Sequence, residues 1–240
     1  MSKVSFVSDG YKLAGNLFVP SGEVKKLAFL LIQGWTGHQN IATAQVLARA
    51  GFTAMTYDMR GNGESEGDIA EFSRADFIKD AVVAYDYFKQ QVGNDTAIGV
   101  IGGSFGSYSG VLLSEQREVY CLSLRVPATY PDEGFDEPQL AQKNGSNDFG
   151  EWRKKKLSYS ENHAFKALHA FTGRVQIIEA QADKLVPSQA PRNYADAVTD
   201  KSKLVYEVMP NAPHRLVNEQ LQTDYERLLL TWITSLPDPR

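Results

Sequence analysis

The ten residues from Ala97 to Gly106 constrain this chain more than any other stretch. An apolar run, Ala97-Ile98-Gly99-Val100-Ile101, ends in Gly102-Gly103-Ser104-Phe105-Gly106 and leads into a sequence able to form a helix from Phe105 to about Arg117. A serine on a sharp strand-to-helix turn sits in strained backbone geometry. Its neighbours must be small, because a side chain at Gly102 or Gly106 would collide with the adjoining strand and helix. Such a turn lifts the hydroxyl above the sheet and aims the Phe105 backbone N–H and the helix N-terminus at the reacting atom, where developing negative charge is stabilised. Ser104 is therefore the candidate nucleophile.

The same Gly-x-Ser-x-Gly spacing occurs again at Gly63-Glu64-Ser65-Glu66-Gly67. Context separates the two. Ser65 lies well past its nearest apolar run, between carboxylates that would oppose an oxyanion, and reads as a serine hydrogen-bonded within a loop.

The rest of the chain alternates strand and helix patterns. Val4–Val7 and Leu13–Val19 flank Ser8-Asp9-Gly10-Tyr11, a hairpin signal. Leu27–Ile32 is apolar at every position, as expected of a strand buried on both faces of a parallel sheet. Helix is then expected at Ala42–Ala50, Ala75–Val92, Pro191–Val198 and Leu216–Ser235, and strand at Thr53–Asp58, Ala97–Gly102, Val119–Val126, Arg174–Glu179 and Lys203–Met209. The interval 127–173, rich in Pro, Asp, Asn and Gly, carries little strand pattern and reads as a cap or lid. This rhythm predicts an α/β protein with a doubly wound, mostly parallel sheet, and such sheets place their sites just past the carboxyl ends of the strands.

Composition bounds the function classes. At 240 residues, 42% apolar and 22% charged, the chain can bury a substantial core as a single domain, 1–240. A net charge of −4 gives no electrostatic reason to expect a nucleic-acid or anionic-membrane partner. The basic run Arg153-Lys154-Lys155-Lys156 reads as a solvated face. Cys121, the single cysteine, stands among apolar neighbours and reads as a buried structural thiol. Met1–Gly10 lacks the apolar core of a signal peptide, and the longest fully apolar run, Leu27–Ile32, is far short of a membrane span, so a soluble, cytoplasmic protein is expected. No metal-ligand cluster, phosphate-binding glycine loop or nucleotide fingerprint is present, and the chemistry read here requires no cofactor.

A serine hydroxyl needs a base within hydrogen-bond reach, normally a histidine oriented by a carboxylate. Among four histidines, His163 and His169 fall in or after the presumed cap and His38 lies beyond the first buried parallel strand. His214 lies between the last strand and the last helix, at a strand's carboxyl end, and is the candidate base. Asp183 directly follows the Arg174–Glu179 strand and is the candidate orienting acid, while Asp196 and Asp200 fall within or after a helix. The order Ser104, Asp183, His214 is that of a nucleophile-elbow fold.

With these residues in view, the chain resembles a serine member of the α/β-hydrolase superfamily over nearly its whole length. Asp58-Met59-Arg60-Gly61-Asn62-Gly63-Glu64-Ser65 is similar to the family's D-x-R-G-x-G-x-S loop, Asp183–Pro187 to its D-x-x-V-P acid segment, and Gly102–Gly106 to the elbow of prolyl-oligopeptidase-type peptidases. The resemblance implies an α/β-hydrolase fold, with an eight-stranded sheet, helices on both faces and a short cap, and an oxyanion hole from the Trp35 and Phe105 amides. Two positions depart from the family: Gln33-Gly34 stands where relatives often have His-Gly, and Ala180 where they often have Gly.

The function expected is hydrolysis of carboxylic esters with small or medium acyl groups, through a Ser-His-Asp triad and an acyl-enzyme. A peptidase, amidase or acyltransferase would use the same residues, and a non-catalytic receptor commonly loses one of them. A dehalogenase would need a carboxylate at position 104. The expected partner is a small-molecule ester. Arg125, at a strand's carboxyl end, suits a substrate carboxylate or a structural ion pair. Tyr130, with Trp35, Phe105, Phe135 and Trp152, suits an acyl pocket or plain packing.

Overall fold

The computed structural model describes residues 1–35, 37–138 and 149–239. Its sheet is built from β1 (Ser2–Ser8), β2 (Tyr11–Phe18), β3 (Leu27–Ile32), β4 (Ala54–Tyr57), β5 (Ala97–Gly103), β6 (Cys121–Arg125), β7 (Arg174–Ala180) and β8 (Leu204–Met209). Their spatial order is β1-β2-β4-β3-β5-β6-β7-β8. The pairs β1/β2 and β2/β4 are antiparallel and the others parallel. The expected hairpin forms on Asp9 and Gly10, whose φ of 48° and 87° are the positive values a tight two-residue turn demands.

The helices are α1 (Ile41–Arg49), α2 (Arg74–Val92), α3 (Phe105–Leu113), the short α4 (Phe149–Trp152), α5 (His163–Ala170), α6 (Gln189–Ala197) and α7 (Glu219–Thr234). Side chains of a strand alternate between faces, so the parallel strands feed two cores. Ala28, Leu30, Ile32, Val100 and Leu122 join α2, α3, α5 and α6 on one face. Leu27, Phe29, Leu31, Ile101 and Cys121 join α1 and α7 on the other. Every residue of β3 is buried, as its unbroken apolar run predicts.

The loop Asp58–Ser65 holds β4 to the rest of the fold. Buried Arg60 donates from Nε at 2.9 Å and from a terminal nitrogen at 2.6 Å to one oxygen of Asp80, itself fully buried on α2. The Ser65 hydroxyl donates to the Asp58 carbonyl at 2.6 Å and accepts the Ala14 N–H at 2.9 Å. Ser65 is thus a loop brace, as its carboxylate neighbours suggested. Of the interval 127–173, residues 139–148 lie outside the described residues; the remainder carries α4, a 3-10 turn at Tyr159–Glu161, and α5. Among the described residues no helix is long and apolar enough to cross a membrane.

Candidate active site

Ser104 sits between β5 and α3 with φ 55° and ψ −114°, a conformation that costs a non-glycine residue roughly 1–3 kcal/mol. The flanking glycines permit it. A Cβ at Gly106 would stand 2.0 Å from the Ile32 carbonyl oxygen, and one at Gly102 2.5 Å from the backbone of Gly106 and Ser107. The turn is also pinned from β6: the Ser104 N–H donates to the Arg125 carbonyl at 2.9 Å, and the Ala128 N–H donates to the Ser104 carbonyl at 3.3 Å.

Asp183 and His214 meet across two neighbouring loops. The Ala182 N–H donates to the Ala212 carbonyl at 2.9 Å, and the Asn211 N–H to the Gln181 side-chain oxygen at 3.1 Å, which laces the loop after β7 to the loop after β8. Within that frame Asp183 Oδ2 lies 2.6 Å from His214 Nδ1. Asp183 Oδ1 accepts the Leu185 and Val186 N–H groups at 2.7 and 2.8 Å. The carboxylate side chain is only 2% exposed, so both its oxygens are committed. The other imidazole nitrogen, Nε2, has no hydrogen-bond partner among the described residues.

Ser104 and His214 line one cavity of about 980 Å³. Phe105 opens α3, so its N–H has no acceptor within its own helix. Gly34 brings the 33–35 segment alongside: a Cβ there would lie 3.4 Å from the Gly103 carbonyl oxygen and 3.5 Å from Ser104 Cβ. The Trp35 ring packs edge-on against Phe77 and Phe105, with centroids at 5.0 and 5.5 Å. The amides expected to serve an oxyanion therefore belong to segments that flank the serine.

Of the expected pocket aromatics, Trp35 and Tyr130 line the cavity, whereas Phe105, fully buried, packs beneath it. Phe135 and Trp152 are not in its wall. Two charge expectations need correction. Arg125 lines the cavity, and among the described residues it has no carboxylate partner: a terminal nitrogen donates to the His214 carbonyl at 2.8 Å, and the guanidinium lies 5.8 Å from the Tyr225 ring centroid. Burial lowers its pKa, with the Tyr225 and Asp183 charges acting in opposition to that effect. Arg153 is not part of a solvated face. It lies over the Tyr130 ring at 4.8 Å and donates to the Thr129 and Leu185 carbonyls at 3.0 and 3.2 Å. Aromatic surface and free carbonyls drew it inward, which a run of like charges does not reveal.

His163 bonds Glu115 at 2.8 Å and His169 stacks on Tyr159 at 3.7 Å, both away from the cavity wall. His38 does reach that wall but is exposed. Sequence reasoning missed Gln222 and Tyr225, which α7 contributes to the cavity. They stand in an ordinary amphipathic pattern that carries no signal. Gln33 was visible as a departure from the family, but not as a buried amide whose nitrogen and oxygen both lack a partner among the described residues.

A family model for the alpha/beta hydrolase fold matches residues 28–154. The chain belongs to the α/β-hydrolase family. Its similarity to solved structures extends over the whole fold. Est1E from Butyrivibrio proteoclasticus, in a structure with ferulic acid bound, superposes with a TM-score of 0.74 at 20% identity, over 97% of this chain and all of that one. An alpha-beta serine hydrolase homologue from Coxiella burnetii gives 0.71 at 16% identity, over 97% of each chain. An esterase from Pyrococcus furiosus gives 0.69 at 19% identity, over 97% of this chain and 91% of that one. At the level of sequence, an uncharacterized 31.7 kDa protein of Escherichia coli is 32% identical over 92 residues. That match spans 37% of this α/β hydrolase and about a third of the relative, 32% of its length.

Proposed function

We propose that this protein is a serine hydrolase of carboxylic esters, acting as a single domain in which the 127–173 interval caps the site. His214 Nε2 takes the Ser104 proton as Ser104 Oγ attacks the acyl carbonyl carbon. The oxyanion lies against the Phe105 and Trp35 N–H groups and the N-terminus of α3. Collapse breaks the ester C–O bond, and His214 returns the proton to the departing alcohol. Water then attacks the acyl-enzyme with the same base, releasing the acid and restoring Ser104.

The observation that carries this reading is that His214, paired with Asp183 at 2.6 Å, lines one cavity with a serine in strained backbone geometry. Asp183 fixes the ring with its proton on Nδ1, so that Nε2 is the basic atom, and stabilises the imidazolium once it forms. The cavity suits small or medium acyl groups, including an aromatic acid of the kind seen in the Est1E structure, with Trp35 and Tyr130 in its wall.

A chain-length series of nitrophenyl esters, run beside aminoacyl anilides, tests the proposal. Wild type should turn over the shorter esters, and Ser104→Ala should lose several orders of magnitude in kcat while keeping its fold. Near-normal ester hydrolysis by folded Ser104→Ala would refute the mechanism, and cleavage confined to anilides would make the enzyme a peptidase.

A further inference from the structure

On the face of the sheet that carries α1 and α7, three neighbouring strands end in one row. Ile32 of β3 pairs with Gly102 of β5, which sets Gln33 beside Gly103, and Gly103 pairs with Arg125 of β6. By strand alternation this row shares its face with Leu31, Ile101 and Cys121. Its middle member has no side chain. A Cβ at Gly103 would meet only the Arg125 guanidinium, at 3.5 Å. The row therefore forms a niche with Gly103 as its floor and Gln33 and Arg125 as its sides, one residue before Ser104. Tyr225 of α7 stands over the guanidinium.

The polar groups around this niche are not used up by the fold. Arg125 carries five N–H donors, and its only acceptor among the described residues is the His214 carbonyl. Both amide atoms of Gln33, a residue 6% exposed, are unpartnered, an arrangement that costs free energy until a partner arrives. The Tyr225 hydroxyl has no protein partner among the described residues. The wider cavity agrees in sign: among the described residues its lining includes Arg125, Arg153, Lys184 and Arg215 and no carboxylate, although the chain as a whole carries a net charge of −4.

We propose that this niche is an anion subsite, in which Arg125, assisted by Gln33 and Tyr225, receives a carboxylate carried by the ester a few bonds from its scissile carbonyl. The inference deepens the serine-hydrolase reading and rests on it for the word substrate. Planar guanidinium and planar carboxylate match in two parallel hydrogen bonds, and Gln33 adds an N–H donor once its side chain turns toward the niche. A bound carboxylate would give the buried Arg125 charge the directly bonded counter-ion that no described residue supplies.

The test is calorimetric titration of Ser104→Ala, which cannot turn over, with two pairs of ligands. Monomethyl glutarate against dimethyl glutarate places the carboxylate on the acyl side, and acetoxyacetate against its methyl ester places it on the alcohol side. In at least one pair the acid should bind tenfold or more tightly than the neutral ester, and that advantage should fall below threefold in Ser104→Ala/Arg125→Gln. Equal affinities in both pairs, no binding of either acid, or an advantage that survives Arg125→Gln overturns the proposal. If Arg125→Gln does not fold, Ser104→Ala/Gln33→Leu decides, with a threefold or greater loss of the advantage expected and no change overturning it. Wild-type turnover of nitrophenyl acetate separates the two ideas. Ser104-dependent turnover without charge preference removes the subsite and leaves the hydrolase, whereas charge-selective binding without turnover of any ester supports the subsite and removes the hydrolase.

Discussion

Asp183→Asn changes one atom in the pair with His214 and should abolish most turnover while the fold survives. The two oxygens of Asp183 have separate duties: Oδ1 accepts the Leu185 and Val186 N–H groups, and Oδ2 faces His214 Nδ1. An asparagine keeps the first duty only by placing its carbonyl oxygen at the Oδ1 position. Its NH2 then takes the Oδ2 position and donates, so Nδ1 must become an acceptor. The ring proton moves to Nε2, the atom that has to accept the Ser104 proton. The geometry is retained and the tautomer is wrong. For a triad that works as proposed, the loss is about 10⁴ in kcat, or about 5.5 kcal/mol of activation free energy. The assay is steady-state hydrolysis of nitrophenyl acetate at saturating substrate, with thermal melting of both proteins as the control. A kcat within tenfold of wild type, on a protein that melts normally, would refute the assignment of Asp183.

Three further outcomes follow from the packing. Gly106→Ala forces a Cβ onto the Ile32 carbonyl oxygen, a backbone atom that cannot swing away, and should cost about 3 kcal/mol, lowering Tm by roughly 6–12 °C; an unchanged melt would contradict the close approach of α3 to β3. Arg60→Ala strips a fully buried Asp80 of its partner and should cost about 3–5 kcal/mol in urea denaturation. Burial raises the Asp80 pKa while Arg60 holds it down, so the substitution raises it further; stability then falls as pH rises through that raised value, and the deficit should be larger at about pH 7.5 than at about pH 5. Cys121 is fully buried and burial pushes its thiol pKa up, so it should resist a thiol-directed disulfide reagent in the native protein and react promptly in denaturant; native labelling at the rate of a free thiol would show that β6 is open.

The legible parts of this molecule are those in which local chemistry alone settles the conformation. The all-apolar β3, the Asp9-Gly10 turn and the glycines around Ser104 each leave the backbone one good choice. Asp183 and His214 could be singled out because each lies in the loop past the carboxyl end of a strand, and strand ends in such a sheet converge. The side of the cavity supplied by α7 could not be read. Tyr225 looks like any apolar-face residue of an amphipathic helix, and only the docking of that helix over the end of β6 turns it toward the site. Arg125 was placed correctly at a strand's carboxyl end, but whether a carboxylate met it depended on side chains distant in the chain. Arg153 was misread for the same reason: its neighbours in sequence are lysines, and its neighbours in space are Tyr130 and two carbonyl groups.

Arg125 also has a mechanical role that its position implies. Its carbonyl oxygen receives the Ser104 N–H and its guanidinium holds the His214 carbonyl, so one residue of a central strand addresses both the proposed nucleophile and the proposed base. The spacing between those two groups is thereby referred to the sheet instead of to the loops that happen to surround them. Segments that reach the cavity wall from outside the sheet, such as those carrying Tyr130, Phe149 and Arg153, can then be lengthened, shortened or exchanged without throwing the reacting atoms out of alignment. A scaffold wired in this way separates the part that performs a reaction from the part that chooses a molecule, and lets the second drift while the first stays tuned.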